Sequence, residues 1–153
     1  MNLLGLFDNR VLLSALAAWG LAQLIKVPLE YLFTRKWNWA ILINAGGMPS
    51  SHSALIAATT QGIGLWYGFE TPLFALGVAV CMVVIYDATG IRRQAGLHAE
   101  LLNKIVDDFV TTGTLGEGEQ KQLKEVLGHT PREAFGGLVL GIIVPTLIWL
   151  IWR

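Results

Sequence analysis

The residues with the most chemical potential in this chain are Gly46, Gly47, Met48, Pro49, Ser50, Ser51, His52, Ser53 and Ala54, which set glycines, hydroxyls and an imidazole between two strongly apolar segments. A helix opening near Ser50 leaves the amides of its first turn without intrahelical partners. The positive end of the helix dipole adds to their attraction for a phosphate or carboxylate. His52 then lies within that first turn, close enough to exchange a proton with the anion held there. The same residues also read as a plain helix start, with Pro49 in the opening turn and Ser50 as its cap. The choice between the two rests on what the rest of the chain brings alongside.

The composition is that of a membrane protein: of 153 residues, 54% are hydrophobic and 14% charged, with a mean hydropathy of +0.54. Formal net charge is zero, so no basic field attracts nucleic acid and no such partner is expected. Trp37, Trp39, Trp66, Trp149 and Trp152 stand near the edges of apolar runs, where an interfacial aromatic belt places them. A lone cysteine, Cys81, supports no disulfide framework. Asp8 and Arg10 precede the first apolar run, unlike the basic start of a secretory signal peptide.

The elements that position the central stretch follow from the apolar runs. The reading is one all-α membrane domain over residues 1–153, a helical bundle with about four transmembrane helices plus interfacial or amphipathic helices. Spans are predicted at about 11–33, 50–68, 72–88 and 134–152, close to the length that crosses a hydrocarbon core of about 30 Å. In the first, Pro28 is expected to bend or end the helix, and Lys26 and Glu30 to pair on one face. Residues 40–49 are too few to cross and read as a re-entrant or interfacial piece. The short turn at Gly68 to Pro72 makes the second and third spans antiparallel neighbours. A polar cytoplasmic segment over about 89–131 carries an amphipathic helix, begun near Tyr86, and a short charged helix from Glu119 to Leu127. Thr130 and Glu133 read as a capping box opening the last helix, where Gly137 and Gly141 permit close approach of a neighbour.

With that topology three polar clusters share one membrane face: Lys26 with Arg35 and Lys36, then Ser50 to His52, then Asp87 through His98. Cations, hydroxyls, imidazoles and a carboxylate converging on one face are what an anion-processing site requires. Lys36 and Arg93 also suit basic anchors that snorkel to the interface, whereas Lys26 lies too far inside its span for that. Lys26, Arg35, Lys36, Arg92, Arg93, Lys104, Lys121, Lys124 and Arg132 fall on the site face and Arg10 and Arg153 on the other. That asymmetry turns the site to the cytoplasm, in a cytoplasmic (inner) membrane. His129, in a polar loop before a proline, reads as a surface residue.

The stretch from Gly46 to Ala54 and the run Tyr86-Asp87-Ala88-Thr89-Gly90-Ile91-Arg92-Arg93, with Gln23 and Lys26 before them and Leu102-Asn103 after, resemble the divergent branch of the type 2 phosphatidic acid phosphatase superfamily, related to acid phosphatases and vanadium haloperoxidases. The resemblance covers roughly residues 20–106, with several motifs in order. It implies a lipid phosphatase without a metal or other cofactor, in which a phosphohistidine forms and a second histidine protonates the leaving oxygen. Carried over, Lys26 and Arg35 take the first motif, though more widely spaced than the family's and without an Arg-Pro. Pro49-Ser50-Ser51-His52 takes the second, with Ser51 where glycine is expected. Arg92 and His98 have the five-residue gap of the third, but Leu102 stands where its aspartate belongs.

On this resemblance His52 is the proton donor and His98 either the nucleophile or an incidental imidazole, with Asp87 able to orient it if the chain folds back. Lys26, Arg35, Ser50, Ser51, Arg92 and Arg93 bind the phosphate. The expected partners are a lipid phosphate, phosphatidylglycerophosphate-like or isoprenyl, and the bilayer itself. A homo-oligomer is also expected, because so small a bundle buries little polar surface alone. The alternative is a non-catalytic membrane protein that binds or translocates a lipid phosphate. A purely structural subunit has no use for an intramembrane Lys26.

Overall fold

A computed structural model describes residues 5, 7–42, 46–111, 123 and 128–152. Among them the chain is all-α: α1 (Arg10–Thr34), α2 (Ser51–Tyr67), α3 (Pro72–Thr89), α4 (Ile91–Thr111) and α5 (Pro131–Trp152), with a 3₁₀ turn at Trp39–Leu42. The short charged helix expected from Glu119 to Leu127 lies outside the described residues, apart from Leu123.

α1, the α3 region and α5 are long and apolar enough to cross a membrane. At 1.5 Å per residue, α1 spans about 37 Å and α5 about 33 Å. α1 begins on Asn9, whose side chain accepts from the Leu12 amide, and runs through Pro28 to Thr34. Pro28 therefore does not end it, because the turns on either side remain hydrogen-bonded. Arg35 closes the helix in a left-handed conformation, its amide donating to the Tyr31 carbonyl. Tyr31, Trp37 and Trp39 then stack in succession, with ring centroids 4.6 and 5.9 Å apart. This exposed aromatic ladder marks one end of the bundle, as interfacial rings do.

α2 is the central helix and packs against α1, α3 and α5. Its inner positions are small: Ala54, Ala57, Ala58, Gly62 and Gly64 are all buried. Lipid chains are as apolar as leucine, so helices in a bilayer gain little from burying bulk, and close backbone approach supplies the packing instead. α5 shows it most directly. A Cβ on Gly137 would strike the Ser50 carbonyl, and one on Gly141 would lie 2.6 Å from the Ala54 carbonyl oxygen and the Ala57 Cβ. The two glycines four apart are therefore the seam on which α5 meets α2.

Around that seam Ala15, Ala18, Ala58 and Val144 form the apolar core, flanked by Leu55, Leu140 and Ile148. Large side chains point outward instead. Leu73, Leu76, Val80 and Val83 are exposed on α3, and Leu147 and Leu150 on α5, the inside-out pattern of a lipid-facing surface. The end of α1, the start of α2, the end of α3 and the start of α5 gather at one end of the bundle. At the opposite end Arg10 donates to the Trp152 carbonyl at 3.3 Å.

Candidate functional site

The site is built from helix ends. α2 opens on Ser50, whose side chain accepts from the Ser53 amide at 3.3 Å and from the Ser53 hydroxyl at 3.0 Å. Pro49 precedes this cap and does not occupy the first turn. The Ser50 amide is committed to the Glu133 carbonyl at 2.9 Å, so it cannot cradle an anion as the sequence led one to expect. The amides of Ser51 and His52 remain, and helix geometry gives neither an intrahelical partner.

Lys26 stands eight residues before the end of α1, about 12 Å along the axis. Its side chain is fully buried and passes 3.8 Å from where a Gly47 Cβ would stand. Among the described residues the ammonium has no hydrogen-bond partner, and the expected pairing with Glu30 does not occur. Glu133 acts on the ammonium electrostatically. On the preceding turn Gln23 donates to the Leu42 carbonyl at 2.8 Å, while its own buried carbonyl oxygen has no partner among the described residues. Two such polar atoms thus lie on one face of α1, an arrangement native interiors rarely tolerate.

α3 and α4 join at Gly90, and the junction carries Asp87 and Arg92. The Arg92 Nε donates to Asp87 at 2.7 Å. Asp87 is therefore taken by Arg92 and does not orient His98. His98 itself is exposed and lines a separate groove with Tyr86, Gly90, Ile91, Gln94 and Ala95. The reason is helical: His98 stands six positions after Arg92 along α4, a rotation of about 240° past a full turn, so they leave the helix on different sides. Arg35 and Arg93 are exposed and stand outside the residues that line the cavity described next.

A cavity of about 360 Å³ is lined by His52, Val83, Val84, Asp87, Ala88, Arg92, Gly128 and His129. His129 was expected at the surface, yet it is only 4% exposed. Its amide donates to the Ala88 carbonyl at 2.9 Å. Gly128, with φ +83°, allows the approach, since a Cβ there would meet the Arg93 amide and the Ala88 carbonyl. The His129 Nδ1 faces Glu133 Oε2 at 3.2 Å, and the same oxygen accepts the Thr130 amide at 2.9 Å. Thr130 Oγ1 in turn accepts the Glu133 amide at 3.3 Å, so the capping box forms as expected. The His52 and His129 rings are 6.3 Å apart, and Arg92, Lys26 and His129 all act electrostatically on His52.

The structure thus brings His52, Asp87 and Arg92 to one cavity, with Lys26 acting electrostatically on His52. It adds His129 and Glu133, which spacing did not single out. The signal for them lay in the capping box, which fixes a carboxylate within one turn of an imidazole. Among the described residues no three His, Cys, Asp or Glu side chains converge as a metal set.

No solved structure matches the chain. A relative from Bacillus subtilis (strain 168), described as "Uncharacterized membrane protein YuiD", is 40% identical over 151 residues, covering 94% of this chain and 96% of that one. A family model described as "Divergent PAP2 family" matches residues 7–144. That match takes in every helix contributing to the cavity, as well as Lys26, and the chain belongs to the divergent PAP2 family.

Proposed function

We propose that the protein is an integral membrane phosphatase hydrolysing the phosphate monoester or diphosphate of a lipid at the cytoplasmic edge of the bilayer. The observation that carries this reading is Lys26, an ammonium with no exposed surface and no hydrogen-bond partner among the described residues, in the field of His52. An unpaired buried charge costs several kcal/mol, a cost that a bound phosphoryl group offsets. Arg92 supplies the second cation, and the amides of Ser51 and His52 add donors at the positive end of α2. As the phosphorus–oxygen bond breaks, protonated His52 gives its proton to the leaving oxygen.

The cavity walls favour a lipid over a soluble phosphate. Val83, Val84 and Ala88 form its apolar side, and Val83 is 67% exposed. Leu73, Leu76, Val80 and Val83 recur at helical spacing along α3, a stripe of about 15 Å that leads to the cavity. An acyl or isoprenyl tail lying on that stripe delivers its headgroup to Arg92. In this reading α2, about 26 Å long, crosses together with α1, α3 and α5. The basic residues around the site face the cytoplasm.

The test is phosphate release in detergent from a panel of phosphatidylglycerophosphate-like and isoprenyl phosphates and diphosphates. The wild type is expected to release phosphate, and His52→Ala to lose roughly 100-fold or more of that rate. Binding of those lipids with no release from any of them would instead favour a lipid-phosphate binder or translocator.

A further inference from the structure

We propose that α4 is a bilayer-docked helix, its outer face lying among the lipids of the leaflet at the site end of the bundle. This surface takes no part in the phosphatase reading and is tested apart from it.

α4 has 21 residues, about 31 Å of helix, and three kinds of surface run along it. Ala99 and Asn103 are buried on an inner side. Arg92 leaves the helix on that same side, at about 100° of rotation per residue. The Asn103 side chain donates to the Leu123 carbonyl at 2.9 Å and accepts from the Leu123 amide at 3.0 Å, so Leu123 is tied to the inner side. Arg93, Glu100 and Lys104 line a charged flank, where Lys104 pairs with Glu100 at 2.6 Å. Ile91, Leu97, Leu101, Leu102 and Ile105 occupy the remaining, outer side, turned away from Asn103. Each of these five is 41–66% exposed, too much apolar surface in one place to be left facing water.

Three observations select lipid as the cover over a second helix. The first is width: the five side chains fan across about 140° of the circumference. Paired helices meet along a narrower stripe of every third and fourth residue, whereas a broad apolar face beside a charged flank suits a helix lying in the plane of a membrane interface. The second is continuity. α3 ends at Thr89 and α4 begins at Ile91, with Gly90 alone between them. Val83 and Tyr86, near the end of α3, are 67% and 75% exposed, so the lipid-facing surface of α3 runs directly into the outer face of α4. The third is a groove of about 500 Å³ at that junction, lined by Tyr86, Gly90, Ile91, Gln94, Ala95 and His98. Its hydroxyl, amide and imidazole stand among the apolar residues of the outer face, where an apolar partner helix would leave them without hydrogen bonds. Phospholipid phosphates supply acceptor oxygens for the hydroxyl and amide donors, at the depth where an exposed tyrosine belongs.

The test uses the full chain in liposomes of phosphatidylethanolamine and phosphatidylglycerol. On a Cys81→Ala background, a nitroxide is attached to Leu102→Cys, Ile105→Cys or Glu100→Cys, and its collisions with oxygen and with a water-soluble nickel chelate are measured. Oxygen concentrates among acyl chains and the chelate stays in water. The ratio of oxygen to nickel collisions is expected to be at least about fivefold higher at 102 and 105 than at 100. Equal ratios at the three positions place the outer face in water and overturn the proposal. Exclusion of both probes from 102 and 105 puts protein over the face and overturns it too, with dipolar coupling between labels identifying a second copy as the cover. A carbene precursor dissolved in the bilayer reads the wild type without any substitution. Adducts on Leu101, Leu102 or Ile105 are expected, and labelling of α3 and α5 with none on α4 overturns the docking. No readout depends on hydrolysis, so the docking and the phosphatase reading fail separately.

Discussion

Replacing Lys26 by methionine separates a ligand-binding role from a packing role, because the two predict changes of opposite sign. Methionine has nearly the length of the lysine stem and no charge. The lysine is fully buried, and among the described residues its ammonium has neither a hydrogen-bond partner nor an ion pair. Exchanging buried charge for apolar volume typically stabilises by about 1–4 kcal/mol. At roughly 2–4 °C per kcal/mol for a chain of this size, Lys26→Met is expected to raise the Tm of the ligand-free protein by at least about 2 °C. Phosphate binding moves the other way. A hydrogen bond to a charged group contributes about 1.5–3 kcal/mol, so kcat/KM for a lipid phosphate is expected to fall roughly 10- to 150-fold. Added inorganic phosphate should raise the Tm of wild type and leave that of the variant nearly unchanged, since only a ligand that binds the folded state stabilises it. Thermal unfolding in detergent and phosphate release from one preparation supply both numbers. A Lys26→Met protein that melts below wild type and hydrolyses at the wild-type rate would show that the lysine is a packing element, and the central argument for an anion site would fail.

Three further substitutions test the geometry. Gly141→Ala places a Cβ 2.6 Å from the Ala54 carbonyl oxygen, where backbone cannot yield, and is expected to cost about 1–3 kcal/mol in thermal unfolding. Gly20→Ala in α1 meets nothing within 4 Å and is expected to leave stability unchanged or raise it by up to about 1 kcal/mol. His98→Ala is expected to keep phosphate release within about twofold of wild type, because His98 lines a groove apart from His52; a loss of tenfold or more would return it to the reaction.

Much of the fold is legible in the sequence because it is written locally. Apolar runs at 11–33 and 72–88 sit within a residue of Arg10–Thr34 and Pro72–Thr89, since in lipid an unsatisfied backbone group is costly and a helix is the local remedy. Ser50, Thr130 and Glu133 announce their helix starts for a related reason: caps act within four residues. Pro28 does not end α1, because the loss of one amide donor does not end a helix whose remaining turns are supported by neighbours. Lys26 and His52 were legible as candidates because a charge inside an apolar run and a polar helix start are conspicuous in an apolar chain. His129 was not. Its burial depends on a hydrogen bond to Ala88, 41 positions earlier in the chain, and nothing local to a His-Thr-Pro sequence reveals such a partner. His98 attracted attention for the converse reason: it has a suggestive spacing from Arg92, but inside one continuous helix that spacing separates the two side chains.

The packing seam and the candidate site are one construction. Gly137 lacks a Cβ where the Ser50 carbonyl comes closest, and one turn earlier the Glu133 carbonyl receives the Ser50 amide. Without that approach the Ser50–Glu133 bond does not form, and the first turns of α2 and α5 part. His52 rides on the first of those turns, while Glu133, on the second, holds His129. A small residue in α5 therefore sets the distance between two imidazoles to which it contributes no atom. The same logic explains why a membrane protein with a core made largely of alanine and glycine can hold a fixed constellation of polar groups. Backbones in contact leave few ways for helix ends to slide, so the precision of the site comes from the smallest side chains in the bundle, and the bulk of the large ones is left for the lipid.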